Sequence, residues 1–453
     1  MQKNDKIIYD ELLSPGLDKE KIKIISRIKN EPKWVLELRL KAFDIFQKQN
    51  MQEWGPNLDN LDLDKINYFA RAKVDEEKNS WEKVPENIKK TFDKLGIPEA
   101  EKEMLAGVGA QYDSEAVYHS LSEEAKNQGV IFEDLDTAIQ KYPRLVKKYI
   151  SRSIPLADHK FSSLHYSAFS SGTFLYIPKG VKLTQPLQSY FRMNIEAGGQ
   201  FEHTIIVLEE DAQAHYIEGC SAPKYNDPSL HAGGVEIFVG KNAKMRYSSV
   251  ENWSVNTYNL NTKRAVVEQG GYMEWVSGQL GSGVTMLYPC SILLGKNSKA
   301  EHLSFAMASK NQNQDAGAKV IHIGENTSSK IISKSLSKNG GINTYRGLID
   351  IKKTALNSKV LSDCDSLIID KKSSSHSIPL IKCDNETSSI AHEASTSEIS
   401  PEKLFYLTSK GITEEKAKSM IINGFLSPIM TKLPMEYASE LNILIDMEFE
   451  GGF

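Results

Sequence analysis

GKNAK at 240–244, EQGGY at 268–272, GKNSK at 295–299, GENTS at 324–328 and KKTAL at 352–356 are five turn phrases in one stretch of the chain. Their small residues fall at Ala243, Gly271, Ser298, Thr327 and Ala355, at spacings of 28, 27, 29 and 28. Between them lie short β-rich runs such as Val235–Val239 and Lys319–Ile323, with almost no helical periodicity. A fixed period of this size, carried by strands and turns, marks stacked rungs that each bury an inward face against the next. An antiparallel sandwich is the alternative, but its strands recur at about 8–12 residues. The spacing therefore predicts a β-solenoid.

Working outward, the same texture runs from about 158 to 398, beginning with Phe174–Ile177 and Thr204–Leu208. Residues 1–157 read as mostly helical. KWVLELRLKAFDIFQKQ (33–49) spaces apolar residues among charges, and SEEAKNQ (122–128) opens on a capping Ser122 and stops at Gly129. Residues 399–453 return to helical period. Ser400-Pro401-Glu402 starts one helix, Thr413 caps a second over Glu414–Asn423, and Pro434 opens a third through Leu441, Leu444 and Met447. Such a unit either caps the open end of a solenoid or docks a partner, because Phe405, Phe425 and Met430 exceed what short helices bury among themselves. The fold class expected is mainly β: a parallel β-helix core flanked by N-terminal and C-terminal α-helical domains.

Composition narrows the function. The 453 residues carry 55 Lys+Arg against 59 Asp+Glu, a net charge of −4 that offers no electrostatic lure to nucleic acid. Mean hydropathy is −0.40, and apolar runs such as Ile205–Leu208 are too short to span a bilayer. The start, MQKNDKIIYDELLS, has no apolar core of a secretory signal. Four cysteines without a CxxC point to a reducing compartment and exclude a zinc ribbon, a dithiol motif and a ferredoxin-type ligand run. GxxxxGK[ST], GxSxG and HExxH are also missing, and the Glu209-Glu210 pair sits on a turn as solvated rim.

Two groups of residues remain as candidates. Cys364, in LSDCDSLIID, is followed about one rung later by His392-Glu393 in SSIAHEASTS. Thiolate, imidazole and carboxylate all suit iron, and neighbouring rungs bring such residues close. The plainer reading is a small buried cysteine and a surface histidine. Earlier in the chain, Arg192 and Asn194 share one strand face. Cys220 follows in the Gly/Pro-rich phrase YIEGCSAPKYND, and His231 in LHAGGVEIF. A loop thiol near Arg or His would have access and thiolate character, although an inert thiol beside an ordinary histidine fits as well. Cys290 and Cys383 read as strand residues without a role.

Longer phrases carry a family resemblance. LSEEAKNQGVIFEDLDTAIQKYPRLVKKYI, FSSGTFLYIPKGV, LHAGGVEIFVGKNAKMRYSSVENWS, QDAGAKVIHIGENTSSKIISKS, CDSLIID, AHEASTSEIS and EYASELNILIDMEFEG occur in order over nearly the whole chain. Together they resemble the SufB/SufD family of iron–sulfur cluster assembly proteins, the SufB branch in particular. The resemblance implies a right-handed parallel β-helix and a non-enzymatic scaffold carrying a transient iron–sulfur cluster. The implied partners are the ATPase SufC, docked on the C-terminal helices, the paralogue SufD, and a persulfide-donating desulfurase system of SufS with SufE or SufU type. The implied location is the cytoplasm of a bacterium, or a plastid stroma. Position by position, Cys364 matches the cluster-assembly cysteine and Glu393 the adjacent carboxylate, the two being the metal ligands, with His392 beside them. Cys220 matches the thiol of sulfur uptake, and Arg192, Asn194 and His231 match residues of a transfer path. No cysteine precedes Cys220, which leaves no N-terminal thiol ligand. The competing readings are the SufD paralogue, against which CDSLIID and AHEASTS weigh, and a β-solenoid carbohydrate or acyl-transfer enzyme.

Overall fold

The computed structural model describes residues 9–72, 105–223 and 227–431. The expected helix beyond Pro434 lies outside the described residues. At the centre is a β-solenoid of about eight turns. In its first long sheet the strands Leu187–Arg192, Gln213–Ser221, Lys244–Asn252, Tyr272–Leu280, Lys299–Ala308, Ser328–Ser337, Lys359–Ile368 and Ser389–Glu398 lie side by side, all parallel. A second sheet, running from Thr173–Ile177 to Ser374–Cys383, closes the other side of the lumen.

Corner chemistry sets the rung length. Asp211, Asn242, Gly270, Asn297, Asn326 and Asn357 all take φ between +54° and +66°. Asn, Asp and Gly tolerate that left-handed region better than other residues. The next residue in each corner (Ala212, Ala243, Gly271, Ser298, Thr327, Ser358) is buried. The last turn corrects the sequence reading: the equivalent of Thr327 is Ser358, whose hydroxyls meet at 2.7 Å, and not Ala355. In-register rows then run along the lumen. Tyr216, Tyr247, Trp275 and His302 form one, with ring centroids 5.6, 5.1 and 6.2 Å apart.

The solenoid begins earlier than expected. Gly107–Tyr112 and Glu115–Leu121 form a hairpin on the first sheet, and Ile131–Asp134 pairs antiparallel with Thr173–Ile177. Fifteen residues of GVGAQYDSEAVYHSL are too short to show a rung period, so the sequence alone does not set this stretch apart from the helical segment. Ala125, Val130 and Phe132 plug the lumen at this end. Helices α1 (Lys19–Ile28) and α2 (Lys33–Lys48) lie in the N-terminal segment; Val35 and Ala42 of α2 pack with Leu135, Ile139, Tyr166 and Phe174. Glu236 fastens the segment to the second sheet by accepting the N–H groups of Ser151, Ser153 and Ile154 at 2.5, 2.6 and 3.1 Å and the Tyr166 hydroxyl at 2.9 Å.

At the other end, Ser374–Cys383 and Ser389–Glu398 are exposed over nearly their whole length. The two described C-terminal helices do not cap them. The last described helix, Glu414–Met430, lies across the outer face of the first sheet instead, with Ile422, Leu426 and Ile429 against Ile217, Val250, Val276, Phe305 and Leu367. Phe425 and Met430 are packed there, whereas Phe405 and Tyr406 of the preceding helix, Pro401–Ser409, remain 74% and 62% exposed.

Candidate functional site: a polar lumen with two thiols

Cys220 sits inside the lumen on the strand Gln213–Ser221, not in a loop. Phe191, Met193 and Trp253 pack around it. Two residues earlier, Glu218 faces Lys263 of the second sheet at 3.1 Å, and Lys263 also reaches Glu251 at 2.8 Å. All three are about 99% buried. Burial alone would strip the charge from Lys263, but the two carboxylates overcome it and hold the ammonium well above its ordinary range. Burial likewise raises Glu218, whereas at Glu251 the charges of Lys263 and His231 prevail and lower it.

The chain of contacts continues to the imidazole. Asn259 donates to Glu251 at 2.6 Å, and its Oδ1 lies 2.9 Å from Nδ1 of His231. His231 Nε2 meets Glu202 Oε1 at 2.5 Å, and its ring lies 4.3 Å from that of Trp253. One donor atom each from Glu202, Cys220 and His231 lies within 4.8 Å of the others, which is the single such group of metal-competent side chains among the described residues. Burial pulls the His231 pKa down, but Glu202 outweighs it and the net shift is upward. The Cys220 thiol is pushed well above its usual range by burial, with Glu218, Glu202 and Glu251 adding to the effect.

These facts overturn the expected activation of Cys220 by Arg192. Strand alternation turns Arg192 away from Phe191, to the face opposite the thiol. Arg192 donates to Ser221 at 2.7 Å, and the Asn194 N–H donates to Asp113 at 2.6 Å. Of the expected path residues, His231 is the one whose donor atom lies within 4.8 Å of the Cys220 sulfur.

A row of hydroxyls leaves this chamber. In register with Glu218 follow Ser249, Ser277, Ser304, Ser333 and finally Cys364. The flanking residues Ile217, Val250, Val276 and Phe305 pack under the C-terminal helix, so the serines face inward. Ser304 donates to Ser333 at 3.1 Å. Five steps at about 4.8 Å place Cys364 about 24 Å along the axis from Glu218, too far for the two thiols to share one metal.

Cys364 is buried in the lumen near the open end, 3.8 Å from the Ser362 hydroxyl. Burial pushes its thiol up to about 11, against hydrogen bonds from Tyr345 and Ser362. The last rung separates its expected companions. His392 pairs with Ser362 and shares the lumen face with Ile390, which packs on the core. Glu393 pairs with Asp363 on the other face, where Ser395 donates to Asp365. A ligand set of Cys364 and Glu393 thus spans the rim of the last strand. Sequence reasoning missed Glu202, Glu218, Glu251 and Lys263. The one signal for them was a lysine at an inward position of the strand Thr262–Val267, where Ala265 and Val267 are core.

A parallel β-helix with one thiol among buried ionisable groups and a second at its open end is the class that fold and site define. Two family models match the chain: the SUF system FeS cluster assembly SufBD core domain over residues 191–425, and the SufBD protein N-terminal region over 26–189. Iron–sulfur cluster assembly SufBD family proteins of Staphylococcus aureus strains MRSA252 and USA300 and of Staphylococcus epidermidis are each 50% identical to it. Each alignment covers 436 residues, 96% of this chain and 94% of the relative. The chain belongs to the SufBD family of iron–sulfur cluster assembly proteins. No helix among its described residues is long and apolar enough to cross a membrane.

Proposed function

We propose that the chain is a SufB-type scaffold on which nascent clusters are built as cargo, in a cytoplasmic complex with the ATPase SufC and the paralogue SufD. ATP hydrolysis belongs to SufC. The observation that carries this reading is the hydroxyl-lined row joining the Cys220 chamber to Cys364. Sulfur arriving as a persulfide from a SufS-type desulfurase system with SufE or SufU passes to Cys220 by thiol exchange, the donor cysteine leaving as its thiolate. A two-electron reductant of the thiol or flavin class then frees it as hydrosulfide, to which the serines supply hydrogen-bond donors on the way to Cys364. Because Cys220 rests as a buried thiol, its activation requires the chamber to open or to rearrange when the donor docks.

Two reconstitutions with opposite outcomes test the division of labour. With Cys220→Ser, cluster formation from enzymatic persulfide is expected to fail, whereas anaerobic loading with excess iron and sulfide largely succeeds. Failure of both would move Cys220 into the cluster site, and success of both would reduce it to packing.

SufC docking is assigned to the helix Pro401–Ser409, whose Phe405 and Tyr406 stand exposed beside a cavity of about 400 Å³ lined by Glu402, Lys403, Tyr406, Leu407 and Ile421. Phe405→Asp with Tyr406→Asp is expected to abolish co-purification of SufC. As surface changes, these substitutions should shift stability by no more than about 0.5 kcal/mol. Stoichiometric retention of SufC by that variant would place the dock elsewhere.

A further inference from the structure

We propose that Glu202, Cys220 and His231 form a binding site for one divalent transition-metal ion of the borderline-soft class that includes Zn²⁺ and Fe²⁺. The site is distinct from the rim around Cys364, and the proposal does not depend on the sulfur-transfer reading. One thiolate, one imidazole and one carboxylate is a donor set for those ions. It is a poor one for Mg²⁺ or Ca²⁺, which need six or more oxygens.

Geometry supports the assignment. Tetrahedral bonds of about 2.0–2.3 Å ask for donors about 3.3–3.8 Å apart. The three donor atoms lie within 4.8 Å of one another, so shifts of about an ångström assemble the site. The close His231–Glu202 contact opens as the ion takes the place between them. Three protein ligands leave a fourth position free for water or an incoming sulfur.

The surroundings are those of a built site. His231 is oriented through Nδ1 by Asn259, which Glu251 holds in turn, and this leaves Nε2 for the ion. Glu202 is 2% exposed, yet its Oε2 has no hydrogen-bond partner. Gln200, in register with His231 and 1% exposed, has neither amide atom partnered. Unmet acceptors at this depth are costly without a ligand or ordered water. Gly233 makes the room: a Cβ there would lie 2.3 Å from Glu202 Oε1. Within the donor shell a dication is balanced by one thiolate and one carboxylate, so the Lys263 pairs stay undisturbed.

The test uses the full chain with Cys364→Ser and Cys383→Ser, kept anaerobic and incubated for hours with Co²⁺, because all three ligands are buried. One equivalent of Co²⁺ is expected, with a sulfur-to-cobalt charge-transfer band and the visible bands of a tetrahedral ion, and Zn²⁺ should displace it. Adding Cys220→Ser should remove the charge-transfer band. Asn259→Ala keeps every ligand and should weaken binding about 10–100-fold. Circular dichroism establishes that each variant is folded. If Cys220→Ser fails to fold, Asn259→Ala alone decides. Absence of binding after refolding with Co²⁺ would overturn the proposal. So would a charge-transfer band that survives Cys220→Ser, or an affinity untouched by Asn259→Ala. Metal analysis of chain purified without added ions then tells Zn²⁺ from Fe²⁺.

Discussion

Cys364→Ala is expected to abolish cluster formation on the assembled complex, by chemical as well as enzymatic reconstitution, while the fold and SufC binding persist. Cys364 is the one buried thiol near the open end of the lumen, and its inward neighbours Val360, Ser362 and Ser366 offer no second sulfur. Cys290 lies on the second sheet away from this rung, and Cys383, in register with the lumen residue Ile351 on the last strand of that sheet, is exposed, so Cys383→Ser alone should leave cluster formation intact. Ala removes one sulfur from a partly open rung, so stability should fall by far less than the about 2–5 kcal/mol of a large core truncation. The measurement is iron and acid-labile sulfide per complex, with the visible spectrum. Normal incorporation by the variant would remove Cys364 from the assembly site.

The largest stability effect is expected at Lys263. Lys263→Met leaves Glu218 and Glu251 facing each other in the lumen with no cation between them, His231 acting on Glu251 only from beyond Asn259. Removing one partner of a buried ionic network costs about 3–5 kcal/mol, because the remaining charge keeps its desolvation penalty. The pH dependence should change as well, because native Glu218 is raised and only Glu251 opposes it. In the native chain the folded-state pKa of Glu251 is lowered. Its contribution is therefore present above the unfolded carboxylate pKa and is lost as pH falls through the folded value. In the variant both carboxylates are raised above their unfolded values, so the folded state holds more protons than the unfolded one and stability falls as pH rises from about 5 to 8. Denaturant unfolding of both proteins at several pH values checks this. A loss below about 1 kcal/mol, or an unchanged pH slope, would mean that water reaches the chamber and screens it.

Much of the architecture was legible because corner residues repeat with the rungs. The same clock contained the interior row. Glu218, Ser249, Ser277, Ser304, Ser333 and Cys364 each lie six residues after a corner residue: Ala212, Ala243, Gly271, Ser298, Thr327 and Ser358. Phasing the last corner on Ala355 hid that Cys364 closes the series. Cys220 was harder to read, since YIEGCSAP carries loop-forming Gly and Pro although the strand runs through Ser221 before the chain turns. Its partners come from four segments, Glu202, His231, Glu251 and Lys263, and only cross-lumen packing joins them. Arg192 was misjudged for the opposite reason. It is near Cys220 in the ladder, but alternation decides the face, and one position of offset reverses it.

The two ends of the solenoid differ, and the difference limits how copies can join. At the N-terminal end the hairpin reverses strand direction and Ala125, Val130 and Phe132 fill the bore. At the other, among the described residues, the backbone groups of Ser374–Cys383 and Ser389–Glu398 have a neighbour on one side only. A rod with two open ends would add units head to tail without limit, as fibres do. With the bore filled at one end, only the other end presents an open lumen beside parallel edge strands. Edge-to-edge union through this rim would use it up in a single pair, and such a pair would place the two Cys364-bearing ends face to face.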